Sequence, residues 1–164
     1  MQIVHNGSEG LRWKCLQAGL IKINFDGAVC SKANMSCVGV VIRDDKGAIL
    51  ASCLEKIPQV YKADEIEALA ARKALSFAAE LGFRSAILEG DSLGLIQALK
   101  LEEHSLAPTG LLIEDVRMLA SNYVRLSYSH IKRNGNRVTH SLAKYVLRIP
   151  DLQVWMEDAH CILF

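Results

Sequence analysis

The hydrophobic residues of this chain change their spacing near residue 62, and that change limits the folds open to it. Before this point apolar and polar side chains alternate, as in residues 20–26, and such alternation is typical of a β-strand. Two further apolar runs, at residues 38–43 and 48–55, flank a turn sequence and predict a hairpin. We therefore expect three successive antiparallel strands in the first third of the chain.

After residue 62 the apolar residues recur at helical spacing as far as residue 81, and Gly82 follows as a helix-ending glycine. The remaining pattern predicts, in order, a strand at 85–89, helices at 92–101 and 109–121, a strand at 124–131 and a helix at 137–147. This order predicts an α/β fold with one mixed five-stranded sheet, three antiparallel strands then two parallel ones, and helices packed on it.

The chain has 164 residues and is 51% hydrophobic, enough to bury the core of one domain. We expect a loosely ordered lead-in at residues 1–18, the domain at 19–149 and a C-terminal tail at 150–164. No apolar run is long enough to span a membrane, and the five cysteines form no disulfide pattern. These features predict a soluble, monomeric intracellular protein, nuclear or cytoplasmic.

Positive charge is concentrated in the last third of the chain. The net charge is only +1, which gives no overall attraction to nucleic acid. Residues 116–150 contain no acid, however, and carry Arg117, Arg125, Lys132, Arg133, Arg137, Lys144 and Arg148. Such a block is either a solvated surface or a patch for a phosphate backbone.

Three acidic residues, Asp26, Glu67 and Asp91, are each predicted to lie at the end of a strand or at the start of a helix. The predicted topology brings them to one edge of the sheet. Carboxylates placed together repel one another unless a divalent cation lies between them. The pattern therefore predicts a metal site for phosphate chemistry.

Each acid also has a purely structural alternative. Asp26 and Gly27 form a common reverse-turn pair, although a glycine there would also let a phosphodiester approach the backbone. Asp64 and Glu67 match a capping box. Asp91 could cap the next helix. Spacing alone does not tell which of the three acids Asp64, Glu65 and Glu67 faces inward.

A second motif competes for the same residues. Residues 90–93 read Gly-Asp-Ser-Leu, the nucleophile motif of a family of esterases in which the serine, here Ser92, attacks an acyl carbonyl. In that family the motif follows the first strand, whereas here it follows the fourth predicted strand. Asp158 and His160 also lack the spacing of that family's base and orienting acid. The esterase interpretation is therefore weak.

Five motifs, in order, resemble the type 1 ribonuclease H domain, in its reverse-transcriptase-like form from plant retroelement-derived proteins. They occupy residues 23–28, 39–44, 67–75, 89–92 and 130–138 with 141–144. The resemblance implies a nuclease that cuts the RNA strand of RNA–DNA hybrids with two Mg²⁺ ions, with Mn²⁺ as another usable ion. It implies Asp26, Glu67 and Asp91 as the metal ligands.

The resemblance also assigns the histidines. His130 matches a loop histidine that assists proton transfer or product release, and Asn136 matches a polar position before the last helix. His140 stands where the catalytic form of the family has a fourth carboxylate, so impaired catalysis or a pure nucleic-acid-binding module is the alternative. The residues expected to contact nucleic acid are Gly27, Ser92, Lys132, Arg133, Asn136 and Arg137.

Overall fold

The computed structural model describes residues 19–101, 104, 106–137, 141 and 152–156, the side chains of 152 and 153 excepted. Its strands are β1 (Ile21–Cys30), β2 (Met35–Arg43), β3 (Ile49–Ile57), β4 (Ser85–Gly90), β5 (Arg125–His130) and β6 (Leu152–Met156). Its α-helices are α1 (Ala63–Glu80), α2 (Leu93–Lys100) and α3 (Pro108–Ala120). Short 3₁₀ turns lie at Ser31–Ala33 and Arg133–Asn136.

The strands form one mixed sheet in the order β5-β4-β1-β2-β3-β6. The first three strands pair antiparallel, and β4 and β5 add to β1 in parallel. This is the predicted α/β fold. The sheet has six strands instead of the predicted five, because residues 152–156 of the expected tail pair antiparallel with β3.

The hairpin between β2 and β3 shows why the local sequence folds as predicted. The carboxylate of Asp44 accepts hydrogen bonds from the backbone N–H groups of Lys46 and Ala48, at 2.9 and 2.8 Å. Gly47 has φ 88°, a left-handed conformation that glycine adopts without strain. The hairpin turn is therefore stabilised by a side chain of the turn sequence itself, that of Asp44.

One face of the sheet carries the main core. Alternate residues of β1, among them Ile23 and Phe25, are fully buried together with the alanine-rich side of α1. The small alanines let the helix lie close to the strands. Residues of α2 and α3 complete this core, and none of the three helices is long and apolar enough to cross a lipid bilayer.

The reverse turn that was the structural alternative for Asp26 and Gly27 is absent. Both residues lie inside β1, paired with Gly39 and Val38 of β2. The strand therefore continues to Cys30 instead of ending at Asp26. The residue pair Asp-Gly resembles a reverse turn, but pairing with β2 overrides this weak local preference.

The last helix, predicted at residues 137–147, falls largely on residues outside the described ranges.

We expect Gly90→Ala to destabilise the fold. A Cβ at this position would lie 2.4 Å from the ring of Phe25, which is fully buried, so the ring or the backbone would have to shift. Such overpacking costs roughly 1–3 kcal/mol of unfolding free energy, measurable by chemical denaturation. Gly94→Ala is the matched control, since a Cβ there meets nothing within 4 Å. An equal effect of both substitutions would contradict this packing argument.

Candidate metal centre

The register of two parallel strands brings Asp26 and Asp91 together. Asn24 of β1 lies opposite Glu89 of β4. Asp26 comes two residues later in β1, and Asp91 comes two residues later in the chain, just past the end of β4. The two carboxylates therefore follow their paired neighbours to the same edge of the sheet.

Close packing of α1 on β1 brings the third carboxylate to this edge. A Cβ on Gly27 would lie 2.7 Å from the carbonyl oxygen of Ile66, so only glycine allows this approach. Glu67 follows Ile66 and therefore lies beside Asp26. The helix fills the space on the Cβ side of Gly27, and contact of this glycine with a phosphodiester stays a prediction.

The neighbouring acids on α1 have other partners. Glu65 accepts a hydrogen bond from the backbone N–H of Lys62 at 2.9 Å and so completes the cap of the helix. Asp64 accepts one from the hydroxyl of Thr109 at 2.7 Å. The capping box therefore involves Glu65 and not Glu67, and this answers the question that spacing left open.

The three carboxylates form one compact cluster. Each of Asp26, Glu67 and Asp91 offers an oxygen, and these oxygens lie within 4.8 Å of one another. Burial, the charges of Asp26 and Asp91, and a hydrogen bond with Asp26 raise the pKa of Glu67 to about 9. A hydrogen bond from the backbone N–H of Gly27 opposes this rise. The raised pKa reflects how costly three negative charges are in this place.

A buried polar network lies beneath the cluster. Lys22 and Glu89 form an ion pair with Nζ to Oε2 at 3.3 Å, and both side chains are largely buried. Asn24 donates from Nδ2 to Glu89 Oε1 at 3.0 Å. These contacts tie β1 to β4 in the register that aligns Asp26 with Asp91. Sequence analysis missed this role, although polar residues alternating along an otherwise apolar strand were a visible signal.

The segment after β5 closes one side of the cluster. Asn136 is buried and donates from Nδ2 to the carbonyl oxygen of Phe25 at 2.9 Å, next to Asp26. His130 places Nε2 3.3 Å from the carbonyl oxygen of Asp91. Arg133 places Nε 3.2 Å from Asp91 Oδ2. Contact of Arg133 with a carboxylate is neither of the two alternatives that the sequence predicts for the basic block, a solvated surface or a patch for phosphates.

Ser92 caps α2. Its hydroxyl accepts a hydrogen bond from the backbone N–H of Leu95 at 3.4 Å. Capping by Ser92 leaves Asp91 to the cluster. Among the described residues no histidine or acid is hydrogen-bonded to Ser92, so the structure gives the esterase interpretation no base to activate this serine.

The described members of the predicted basic block lie in different parts of the fold. Lys132 and Arg137 are exposed near the cluster, but Arg125 is at the other end of β5 from His130. Arg117 binds Glu114 and the carbonyl oxygens of Ala98 and Leu101, and so joins α3 to α2. Three further predicted residues, His140, Lys144 and Arg148, lie outside the described residues.

The cluster fits a hard divalent cation. All of its donors are carboxylate oxygens, the ligands that Mg²⁺ and Mn²⁺ prefer. Glu67 Oε2 is buried and lacks a hydrogen-bond partner in the described part of the chain. A buried carboxylate oxygen without a partner is costly, and a bound cation would satisfy it. Asp26, Glu67 and Asp91 are therefore suited to hold a metal ion together.

The model of the reverse transcriptase-like family matches residues 24–146, most of the chain and all three carboxylates. The chain belongs to this family. Its predicted origin in a plant retroelement stays a prediction. No curated protein sequence matches this reverse transcriptase-like chain significantly.

Solved structures of ribonuclease H proteins share the fold of this reverse transcriptase-like domain. RNase H1 from the halophilic archaeon Halobacterium salinarum is 27% identical with a TM-score of 0.72, covering 79% of this chain and 98% of that one. The N-terminal RNase H domain of a Mycobacterium tuberculosis protein is 22% identical with a TM-score of 0.69, covering 76% and 91%. LC11-RNase H1, solved in complex with an RNA/DNA hybrid, is 22% identical with a TM-score of 0.62, covering 77% and 99%.

The raised pKa of Glu67 predicts a pH dependence of stability. The folded chain holds a proton on Glu67 between its ordinary pKa of 4.5 and about 9, whereas the unfolded chain releases it. With chelator present, stability should therefore fall as the pH rises through this window. Glu67→Gln imitates the protonated form, so its loss of unfolding free energy from pH 5 to pH 8 should be smaller by about 1–3 kcal/mol.

Chemical denaturation at the two pH values measures this difference. Glu80→Gln is the control, because it removes an exposed carboxylate from the other end of α1. If both variants keep the pH dependence of the unmodified chain, burial of Glu67 beside two other carboxylates does not control it.

Proposed function

We propose that this domain is an endonuclease that hydrolyses the RNA strand of RNA–DNA hybrids. The observation that carries the proposal is the cluster of Asp26, Glu67 and Asp91, with a buried oxygen of Glu67 that lacks a partner in the described part of the chain. Membership of the reverse transcriptase-like family and the likeness to ribonuclease H folds support it. The hybrid in the complex of LC11-RNase H1 indicates the class of substrate to test first.

The three carboxylates would hold the metal, which we propose to be two Mg²⁺ ions, with Mn²⁺ as a substitute. Divalent cations held there would stabilise the negative charge that develops on a phosphodiester during in-line hydrolysis. The protein keeps the ligands in place through the strand register of β1 and β4 and the close approach of α1. Preorganisation of this kind spares the ligands from rearranging during the reaction.

His130 would move a proton at the rim of the site. A carbonyl oxygen only accepts hydrogen bonds, so contact with Asp91 O places the proton of the neutral ring on Nε2. Nδ1 would then be the nitrogen through which His130 passes a proton. Exposure of His130 at the end of β5 suits exchange with solvent or with a leaving product.

Recognition of the hybrid would use the exposed cations near the site. Lys132 and Arg137 lie on either side of the 3₁₀ turn and face solvent, where phosphates can reach them. We propose that contacts to the 2′-hydroxyl separate RNA from DNA, since only RNA carries this group. Together these contacts would direct hydrolysis to the RNA strand.

The deciding experiment is cleavage of a labelled RNA–DNA hybrid. With Mg²⁺ or Mn²⁺, the unmodified chain should cut the RNA strand and leave 5′-phosphate and 3′-hydroxyl ends. Asp26→Asn removes one ligand charge and should lower the rate by about a hundredfold or more. Circular dichroism of both proteins checks that the variant folds, and duplex DNA is the substrate control. Equal background cutting by both proteins would contradict the proposal.

A second function is a nucleic-acid-binding module with weak or no catalysis. The observation that favours it is His140, which stands in the sequence where the family's catalytic form has a fourth carboxylate. Imidazole is a poorer ligand for Mg²⁺ than carboxylate. The protein would then keep the fold and the basic residues and bind hybrids without cutting them.

His140→Asp separates the two functions. If the histidine limits turnover, the substitution should raise Mg²⁺-dependent cleavage by at least about tenfold, because it restores a hard oxygen ligand and a negative charge. His140→Asn is the matched control, since it adds an oxygen of similar reach without the charge. Unchanged cleavage in His140→Asp, with an active unmodified chain, would show that His140 does not limit turnover.

A further inference from the structure

Arg133 lies against the carboxylate cluster in an unequal contact. Its Nε is 3.2 Å from Asp91 Oδ2, and the side chain of Asp91 is only 4% exposed while that of Arg133 is 72% exposed. A buried carboxylate is thus met by an arginine that reaches in from solvent. Asp91 is held in place by its surroundings, whereas the side chain of Arg133 can move away from it into solvent.

The backbone on both sides of Arg133 is anchored. Before it, the N–H of Ile131 donates to the carbonyl oxygen of Gly90 at 3.0 Å, directly beside Asp91. After it, the buried side chain of Asn136 holds the carbonyl of Phe25. The 3₁₀ turn that begins at Arg133 is therefore held at the edge of the cluster. Proximity of the guanidinium to Asp91 follows from the fold and does not depend on the flexible side chain alone.

Arg133 changes the charge balance of the cluster. Fully ionised, Asp26, Glu67 and Asp91 carry three negative charges, and the guanidinium offsets one of them. The other cation beneath the cluster, Lys22, forms its ion pair with Glu89. Within the described ranges, Arg133 forms an ion pair with a member of the cluster itself, Asp91.

We propose that Arg133 competes with a divalent cation for the carboxylate of Asp91, and so sets the cation concentration at which the site fills. The inference rests on the proposed metal centre and adds a residue that regulates it. A guanidinium N–H and a metal ion both use the lone pairs of the carboxylate oxygens. They also repel each other, so the cation binds more weakly while Arg133 remains in place.

Cation binding has to displace the guanidinium, and the exposure of Arg133 makes this displacement feasible. The side chain can swing into water, where its charge is well solvated. Breaking the ion pair between Arg133 and Asp91 then costs part of the free energy of cation binding. A chain without this arginine should fill its site at lower cation concentration.

The test is Mn²⁺ binding by isothermal titration calorimetry, which needs no substrate. Arg133→Gln keeps much of the length and removes the charge, so it should bind Mn²⁺ about tenfold more tightly than the unmodified chain. Arg133→Lys keeps the charge and should stay within about threefold of the unmodified chain. The two variants separate the effect of charge from the effect of side-chain shape.

Arg125→Gln is the matched control. It removes the same charge from the first residue of β5, and five residue steps along the strand, roughly 17 Å, separate it from His130. This distance exceeds the Debye length of about 8 Å at physiological salt. Its affinity for Mn²⁺ should therefore stay within about twofold of the unmodified chain.

The outcomes separate the inference from the proposed function. If Asp26→Asn abolishes Mn²⁺ binding but Arg133→Gln binds no more tightly than Arg125→Gln, competition by Arg133 is wrong and the metal centre stands. If the unmodified chain and Asp26→Asn bind equally weakly, both the metal centre and the inference fail.

A measurement on the unmodified chain guards against a variant that does not fold. The NMR signal of the Arg133 Nε–H, assigned through its loss in Arg133→Lys or by sequential experiments, reports the contact with Asp91. Titration with Mg²⁺ should shift this signal toward that of a solvent-exposed arginine, with faster exchange. A signal that stays in place while Mg²⁺ binds would overturn the inference.

Discussion

The crowding of three carboxyl groups, whose oxygens lie within 4.8 Å of one another, is the constraint on which the rest of the site depends. Ionised groups at this distance do not gather unless the surrounding structure holds them there. Close packing holds them together here. The Phe25 ring lies against Gly90 and the Ile66 backbone lies against Gly27, so that neither position has room for a side chain. The core thus forces together groups whose own electrostatics would separate them.

Neighbouring residues take over the structural duties that the three acids would otherwise perform. Glu65 completes the cap of α1, and Ser92 caps α2. Glu67 and Asp91 are thereby left to the cluster. The same division explains why capping motifs overlap with two of the three proposed metal ligands: Glu67 and Asp91 both lie near the start of a helix.

One short segment acts on two of the strands that carry the site. From the same 3₁₀ turn, Asn136 holds the backbone of β1 beside Asp26, while Arg133 pairs with Asp91 beyond the end of β4. A positioning contact and a charge contact therefore depend on the same backbone. Movement of this turn would change both the placement of a ligand and the charge around it.

The sequence by itself determined the order of strands and helices, the hairpin turn at Asp44 and the convergence of the three acids, because these follow from local periodicity and from topology. It did not determine that β1 runs through Asp26, that residues 152–156 add a sixth strand, or that Arg133 meets Asp91. Only the tertiary structure decided these points. Strand pairing and ion pairs between distant residues depend on register and packing, which alternation of polar and apolar residues does not encode.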